Sequence, residues 1–386
     1  MEKKRLGDIC EIVTGATPKT NIKEFWDGDI NWITPAELTE DTYIINESLR
    51  KITTEGVEKT GLKSFPKGTV ILSSRAPIGK VAIAGYEMYC NQGFKNLICS
   101  KQINNRFLYW YLKGHKEYLN SLGRGATFKE ISKEIVENIE ICLPTLEKQE
   151  KYADILEQCN GIIQIKKGQL RKLETLVKSR FAEMFGDIGT GIFNFGTCKL
   201  GDVARVGSSH RVFTTEFVES GIPFYRGTEI GELANGQKPS EPYCISEEHY
   251  ERLANDDTKP LIGDLLMPSI CNKGQVWMVD TEEPFYYKDG RVLCISPDRR
   301  VFNSKFLQYF MREKTLVEYP KMGSGSTFAE FKIFLLKNMD VLIPPREIQE
   351  QFAAFVHQVD KSKSKIQKSS EETQLLFDSL MQKYFG

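Results

Sequence analysis

The amino-acid sequence predicts an α+β protein, with two strand-rich globular domains in tandem repeat that are separated by two long helices forming an antiparallel coiled coil. Two observations lead to this prediction. A block of eight residues returns 200 positions later in the chain, which indicates an internal duplication. Each copy of the block is followed by a long segment whose apolar residues recur at alternating spacings of four and three, the pattern of a coiled coil.

The duplication is clearest at the two ends of each half. The block Gly-Arg-Gly-Ala-Thr-Phe-Lys-Glu at residues 123–130 returns as Gly-Ser-Gly-Ser-Thr-Phe-Ala-Glu at residues 323–330, and the offset of 200 persists to the end of the chain. At the start of each half, the Leu-Gly-Asp of residues 6–8 returns at residues 200–202, an offset of 194. Insertions and deletions therefore fall between two fixed ends.

Four segments follow from the repeat. They are a first domain (1–144), a central spacer helix (145–186), a second domain (187–344) and a C-terminal spacer helix (345–386). Inside the domains, short apolar runs bounded by glycine and proline predict strands. A helix with one apolar face is expected at residues 105–122, and its counterpart at residues 304–317.

The spacer helices are predicted from a narrow apolar seam. In the first helix the seam runs from Tyr152 to Met184 with Lys166 as an interruption. In the second it runs from Phe352 to Tyr384 with Lys363 and Ser370 as interruptions. A helix over residues 145–185 would be about 60 Å long, which outruns a domain of ordinary radius. Because such a seam needs a partner, we expect the helices to pair antiparallel, with the domains at opposite ends. Packing of each helix on its own domain alone is the alternative.

Composition excludes several classes of protein. With 40% hydrophobic residues and 23 Phe the chain can bury a core, and no window is apolar enough to span a membrane. The segment Met1–Leu6 runs into polar residues rather than an apolar stretch, so we expect no signal peptide and a cytoplasmic location. Nine cysteines without a C-x-x-C pair and four dispersed histidines favour buried thiols over a metal site.

The sequence contains no catalytic motif. Neither a phosphate-binding G-x-x-x-x-G-K-[ST], a dinucleotide-binding G-x-G-x-x-G nor a G-x-S-x-G nucleophile turn occurs. The triplet Asp257-Thr-Lys259 matches part of a nuclease site, but such triplets arise by chance in a chain that is 27% charged. We therefore expect a protein that is not an enzyme and holds no cofactor or metal of its own.

A known family has the same order of features. The repeated Gly-x-Gly-x-Thr-Phe, an asparagine about ten residues later, a strand ending in Leu143-Pro144 or Ile343-Pro344-Pro345, and Glu-x-Gln-Glu opening a long helix resemble the specificity (S) subunit of type I restriction-modification enzymes. Residues 73–79 and 91–95 also resemble parts of that family's target recognition domains. The resemblance covers the whole chain, although the second half departs at residues 269–274 and 288–291.

The resemblance implies recognition without catalysis. Such a subunit reads a split sequence in double-stranded DNA, one part per target recognition domain, and recruits two methyltransferase subunits that bind S-adenosylmethionine and modify adenine. Two restriction subunits, which use ATP and Mg²⁺, can join them. The alternative is a coiled-coil scaffold that carries two ligand-binding domains without DNA recognition, and an enzyme acting alone is a third hypothesis.

Base reading requires donors such as Arg, Lys, Asn and Gln on loops that reach the major groove. The candidate DNA-binding residues are Arg75, Lys80, Asn91, Gln92, Lys95, Arg124 and Thr127 in the first half, and His210, Arg211, Arg226, Asn272, Lys273, Arg291, Ser324 and Thr327 in the second. Several have structural alternatives: Arg75 could pair with a carboxylate, Asn91 could fix a turn, and Thr127 or Thr327 could cap a helix. Because the loops differ between the halves, we expect an asymmetric bipartite target with half-sites roughly 34–36 Å apart.

The charge balance is unusual for a DNA-binding protein. The chain carries 52 basic and 52 acidic residues, whereas contacts to phosphate require basic surface. Either the charges are polarised over the surface or the methyltransferase subunits supply much of the phosphate contact. We therefore expect weak DNA binding by the isolated chain and tight binding by the complex.

Overall fold

The computed structural model describes residues 2–75, 77–125, 129–322 and 329–386. The chain forms two compact units. Unit 1 comprises Met1–Gly168 with Gln367–Gly386, and unit 2 comprises Gln169–Ile366. Each unit thus contains one of the repeated domains and a part of both long helices. The four-segment division of the sequence stays a prediction.

Unit 1 is built on a five-stranded sheet. The strands of this unit are β1 (Glu2–Arg5), β2 (Cys10–Thr14), β3 (Trp26–Ile33), β4 (Ile44–Ile45), β5 (Arg50–Ile52), β6 (Val70–Ser73), β7 (Val81–Ala84), β8 (Tyr89–Cys90), β9 (Phe94–Cys99) and β10 (Glu140–Leu143). The sheet order is β2-β9-β6-β7-β4, β5-β3-β8 form a smaller sheet, and β1 pairs with β10. Strands β6 and β7 are buried throughout, which explains their uninterrupted apolar runs.

The helices of unit 1 contribute many of its buried residues, and the helix at Asn105–Gly114 packs on β6 and β7. They are α1 (Leu6–Ile9), α2 (Thr54–Thr60), α3 (Asn105–Gly114), α4 (Lys116–Ser121), α5 (Lys133–Glu137) and the start of α6 (Leu146–Phe185). The single helix expected at residues 105–122 is interrupted at His115, which has φ −102° and ψ 26°. The ring Nδ1 of His115 lies 2.8 Å from the Tyr111 carbonyl oxygen, so a side chain competes for an acceptor of the helix.

Unit 2 repeats this plan, with a main sheet of four strands instead of five. Its strands are β11 (Gly186–Asp187), β12 (Ile192–Phe193), β13 (Thr197–Lys199), β14 (Ala204–Gly207), β15 (Ile222–Tyr225), β16 (Tyr243–Ile245), β17 (Leu265–Pro268), β18 (Trp277–Met278), β19 (Tyr286–Tyr287), β20 (Val292–Pro297) and β21 (Asp340–Leu342). Its helices are α7 (Leu200–Val203), α8 (Gly227–Ala234), α9 (Glu247–Leu253), α10 (Ser304–Glu318), α11 (Ile333–Lys337) and much of α12 (Arg346–Phe385). The main sheet has the order β14-β20-β17-β18, and β13 pairs with β21 as β1 does with β10.

The predicted antiparallel coiled coil is confirmed within each unit. In unit 1 the Tyr152 and Tyr384 rings stack 3.9 Å apart, and Lys166 Nζ donates to the Ser369 carbonyl (2.7 Å) and to Thr373 Oγ1 (2.8 Å), so α12 runs opposite to α6. Lys166 therefore interrupts the apolar seam with its hydrogen bonds satisfied, as a residue that fixes helix register does.

In unit 2 the order is again antiparallel. Glu174 of α6 pairs with Lys363 of α12 at 3.9 Å, and further along α6 Phe181 meets the earlier Phe352 with ring centroids 5.5 Å apart. Phe352 is fully buried, and Phe306 of α10 belongs to the same cluster of rings. The helices are therefore held by the core of this unit as well as by each other. No helix in the described ranges is long and apolar enough to cross a membrane.

A buried glutamine explains why Gln149 and Gln349 recur in the repeat. In unit 1, Gln149 Nε2 donates to the Pro144 carbonyl (2.9 Å) and its Oε1 accepts from the backbone N–H of Asn104 (2.8 Å). Gln349 makes the equivalent bonds at 2.8 and 2.9 Å. Both side chains are fully buried, so each satisfies polar backbone groups where a long helix leaves its domain.

Candidate nucleic-acid interface

Three of the candidate segments of unit 1 meet at one place. The backbone N–H of Ser74 donates to the Gly93 carbonyl (2.8 Å), and that of Ile131 donates to the Ser74 carbonyl (2.9 Å). Arg124 and Glu130 exchange two backbone hydrogen bonds, at 3.0 and 2.9 Å. The loop after β6, the loop before β9 and the segment around the repeated glycines are therefore joined by their backbones.

Glu130 lies at the centre of this meeting point. Its Oε2 accepts from Arg75 Nε (2.9 Å), and its Oε1 accepts from Lys95 Nζ (3.3 Å). The Arg75 side chain is 46% exposed, whereas Lys95 is buried and also donates to Ser74 Oγ. Burial opposes ionisation of Glu130, but hydrogen bonds and charge from Arg75 and Lys95 outweigh it and hold the pKa of the carboxyl below its ordinary value. Glu130 is therefore ionised at neutral pH.

The other candidates of unit 1 support loops to different degrees. Lys80 is half-buried and its Nζ donates to the carbonyls of Pro35 (3.1 Å) and Leu38 (2.5 Å). Asn91 Oδ1 accepts from the backbone N–H of Gly93 (2.9 Å), so it fixes a turn, the alternative considered for it. Gln92 is exposed, and its Oε1 accepts from the Thr17 hydroxyl at 2.6 Å. Arg124 is also exposed.

Unit 2 has the same two backbone hydrogen bonds at the equivalent serine. The N–H of Ser269 donates to the Arg291 carbonyl (2.8 Å), and the N–H of Phe331 donates to the Ser269 carbonyl (2.7 Å). Ser269 thus corresponds to Ser74, and Phe331 to Ile131. The next residue back, Glu330, accepts from Arg291 Nη1 at 3.0 Å, and the Arg291 side chain is 59% exposed. A carboxylate at the same place in both units therefore pairs with an arginine.

Three more candidates of unit 2 border strand β19 and its following loop. His210 Nε2 lies 2.7 Å from Asp256 Oδ2, and the histidine holds the pKa of that carboxyl at about 2. Arg211 Nε lies 3.4 Å from Asp289 Oδ2, and 69% of its side chain is exposed. The third candidate, Arg226, pairs with Glu229. Each of these three side chains therefore has an acidic neighbour.

Arg226 is the most constrained of these side chains. Its Nη2 donates to Glu229 Oε1 (2.6 Å), and its guanidinium carbon lies 4.5 Å from the centre of the Tyr243 ring. The hydrogen bonds from Arg226 lower the pKa of Glu229 although burial of the carboxyl works in the other direction. Tyr243 is itself 48% exposed, so an aromatic face and a cation lie together at the surface.

The remaining candidates divide into two groups. Asn272 and Lys273 are exposed on the turn between β17 and β18. Thr127, Ser324 and Thr327 lie outside the described residues. The sequence-based candidates missed the carboxylates as a feature of the site, although the repeat did contain the signal. Glu130 and Glu330 end the repeated block. An acidic residue that both halves retain, while the basic residues near it differ, is the expected partner of those basic residues. Within the described ranges no group of three His, Cys, Asp or Glu side chains could hold a metal ion.

Two units with one framework, each presenting different basic side chains on the same loops, define a two-part recognition protein built on a shared helix pair. The chain belongs to the type I restriction-modification specificity family. The family model described as "Type I restriction modification DNA specificity domain" matches residues 1–175 and again residues 194–375. The resemblance inferred from the repeat is thereby confirmed, and the chain is a non-catalytic specificity subunit.

Two relatives match most of the chain, and a third matches about two fifths of it. It is 31% identical over 383 residues to the type I restriction enzyme MjaIX specificity subunit of Methanocaldococcus jannaschii, an alignment that covers 92% of this chain and 85% of the relative. The MjaVIII specificity subunit of the same organism is 23% identical over 400 residues, covering 96% and 90%. The EcoprrI specificity subunit of Escherichia coli is 26% identical over 163 residues, 41% of this chain and 40% of the relative.

Two solved structures share the fold. One is the type I restriction-modification S subunit from M. genitalium, with a TM-score of 0.57 at 14% identity over 100% of this chain and 96% of the other. The second comes from a study of complex assembly and conformational transition of the type I R-M system, with a TM-score of 0.56 at 18% identity over 100% and 97%. At these identities the likeness establishes the fold.

Proposed function

We propose that this specificity subunit reads an asymmetric, bipartite sequence in double-stranded DNA, with one half-site per domain. The observation that supports it is the pair of loop clusters. Backbone bonds around Ser74 and Ser269 are the same, whereas the exposed side chains attached to them differ. A shared frame with different donors is what two readers of different base sequences require, because base identity is read by side-chain donors and acceptors.

The reading role falls to the exposed candidates. In unit 1 these are Arg75, Gln92 and Arg124, and in unit 2 they are His210, Arg211, Asn272, Lys273 and Arg291. The half-buried Arg226 joins them because its guanidinium lies beside the exposed Tyr243 ring. Lys80, Asn91 and Lys95 act behind them, since their polar groups already bind carbonyls, a backbone N–H or a carboxylate of the protein. Thr127, Ser324 and Thr327 join the proposal on their sequence positions alone.

Chemistry belongs to partners in this proposal. The chain recruits two methyltransferase subunits, which hold S-adenosylmethionine, and restricting complexes add two restriction subunits with ATP and Mg²⁺. Because the complex acts on chromosomal DNA in this proposal, its location is the cytoplasm. We further propose that α6 and α12 set the gap between the half-sites. The length of the two helices supports this role, since each is continuous over 40 residues, about 60 Å.

Selection from a randomised duplex library tests this function. The chain alone and the chain purified with its methyltransferase subunits are each incubated with the library at two salt concentrations, and bound DNA is sequenced. We expect the complex to enrich a two-part sequence and the isolated chain to bind weakly, because its net charge is zero. Absence of any enriched sequence with the methyltransferase present would favour the scaffold alternative. Nanomolar binding by the lone chain at physiological salt would contradict the assignment of phosphate contacts to the partners.

A further inference from the structure

We propose that Glu130 and Glu330 are positioning residues that each orient an arginine for reading one guanine, Arg75 in the half-site of unit 1 and Arg291 in the half-site of unit 2. The inference rests on the proposed function and makes it more specific. It concerns two carboxylates that bind no DNA themselves but decide where a base-reading side chain points. It also states which base each domain requires.

The carboxylate occupies the same backbone position in both units. Ile131 N–H bonds to the Ser74 carbonyl at 2.9 Å, and Phe331 N–H bonds to the Ser269 carbonyl at 2.7 Å. The glutamate precedes Ile131 in one unit and Phe331 in the other, and about one third of its side chain is exposed in each, 35% and 33%. The framework therefore presents an acceptor at one fixed place beside the reading loops.

The arginine reaches that acceptor from different places. Arg75 directly follows Ser74, and the residue that follows Ser269 is Ile270. Arg291 instead stands where unit 1 has Gly93, since the carbonyls of both accept from the equivalent serine N–H at 2.8 Å. The pair of carboxylate and arginine is thus formed in both units, although the arginine lies just after β6 in unit 1 and just before β20, the counterpart of β9, in unit 2. A pairing that survives this exchange points to a requirement for the oriented guanidinium.

Each guanidinium keeps donors for a base. Arg75 binds Glu130 through Nε, which leaves its two terminal nitrogens as donors. Arg291 binds Glu330 through Nη1, which leaves Nε and Nη2. Two parallel donors on one plane match the O6 and N7 acceptors of guanine in the major groove, the commonest specific contact of arginine. The half-exposed side chains leave these donors within reach of DNA.

Stability alone is a poor reason for such a pair. Ion pairs between exposed side chains contribute little to folding, since water screens the charges and the side chains lose freedom. The exposed fraction of Arg291 is 59%. In unit 1 the buried Lys95 already neutralises Glu130 from beneath. Leu293 on β20 occupies the strand position that Lys95 has on β9. The cation that pairs with the glutamate in both units is therefore the arginine.

Base preference in the assembled complex tests the inference. The chain with its methyltransferase subunits selects sequences from a randomised library, as wild type and as Glu130→Gln, Glu330→Gln, Arg75→Ala, Arg291→Ala and Arg75→Ala/Glu130→Gln. We expect Arg75→Ala to lower the preference for guanine at one base pair by about five- to 150-fold. Glu130→Gln should relax the same base pair, and the double variant should match Arg75→Ala, because the glutamate acts through the arginine. Glu330→Gln and Arg291→Ala should relax one base pair of the other half-site.

The two half-sites serve as controls for each other. A variant of one unit should leave the base preferences of the other half-site unchanged. Glu137→Gln should leave both unchanged, since this carboxylate is 40% exposed and pairs with Lys133 at 3.6 Å. Glutamine variants that keep every base preference, or that weaken binding to all sequences together with a lower Tm, would overturn the inference. A wild-type complex that enriches no sequence would overturn the proposed function, and the inference with it.

Discussion

The surroundings of Glu130 and Glu330 differ in their charge and agree in their backbone. Around Glu130, Arg75 and the buried Lys95 share one carboxylate, and Arg124 pairs with its backbone. Around Glu330, Arg291 is the cation in contact among the described residues. The backbone hydrogen bonds that join the serine to Gly93 or Arg291 and to the residue after the glutamate are nevertheless the same. The backbone thus defines the site, while the side chains define what it reads.

Shortening the helix pair is the most drastic way to test this shared frame. Seven residues of helix span about 10 Å, about three base pairs of B-DNA. Deleting one heptad from both α6 and α12 keeps the two helices equal, and we expect modification of the native target to be lost and a target with a different gap to be gained. Methylation mapping of DNA exposed to the complex measures this. An unchanged gap would refute the role of the helices in spacing.

The buried glutamines should matter equally in both units. Gln149→Ala and Gln349→Ala each leave a proline carbonyl and a backbone N–H without their partner, which should cost about 2–4 kcal/mol of unfolding free energy. Thermal and urea unfolding of the two variants measure the cost. Gln374→Ala, an exposed glutamine of α12 that bonds only Asp378 among the described residues, is the matched control and should change little. A large cost in one unit and none in the other would contradict a common framework.

The seam lysines should differ between the units. Lys166 makes charged hydrogen bonds to Ser369 and Thr373, whereas Lys363 reaches Glu174 only at 3.9 Å. We expect Lys166→Ala to lower the unfolding free energy by about 1–3 kcal/mol. Lys363→Ala should lower it by about 0–1 kcal/mol. Urea unfolding of both variants tests the difference. Equal losses of unfolding free energy would show that the hydrogen bonds of Lys166 do not stabilise the protein.

Lys95→Leu gives unit 1 the residue found at the equivalent place in unit 2. Because Glu130 keeps Arg75 and one third of its side chain is exposed, no buried charge is left alone, and we expect the unfolding free energy to change by about 1 kcal/mol or less. The buried amine cannot contact phosphate, so the salt dependence of DNA binding by the complex should also stay the same. A steeper or shallower salt dependence would show that Lys95 reaches DNA.

The sequence predicts the frame of this protein better than its site. Periodicity places the first spacer helix at residues 145–185, and α6 is Leu146–Phe185, because an apolar seam that continues over five heptads is compatible with few structures other than one long helix. The repeat likewise singles out Gln149 and Gln349, whose fully buried amides explain their presence. A break such as that at His115 depends on one side chain competing for a carbonyl, which no periodicity records.

The site is harder because it depends on contacts between segments far apart in sequence. The segments that carry Arg75, Lys95 and Arg124 are each recognisable in the sequence, but their convergence on Glu130 follows from strand order in the sheet. Lys95 illustrates the limit: its sequence position on a loop suggests a DNA contact, whereas β9 buries it. Charge and residue type indicate which side chains can read a base, whereas the fold determines which of them are exposed.

Mapping of modified adenines in a host that lacks other methylation tests the central claim most directly. The chain is expressed with its methyltransferase subunits, and every modified position in the genome is sequenced. Two units with one frame and different donors predict one sequence of two unlike parts around a fixed gap, with a guanine in each part. A continuous sequence, or two identical inverted parts, would contradict the account.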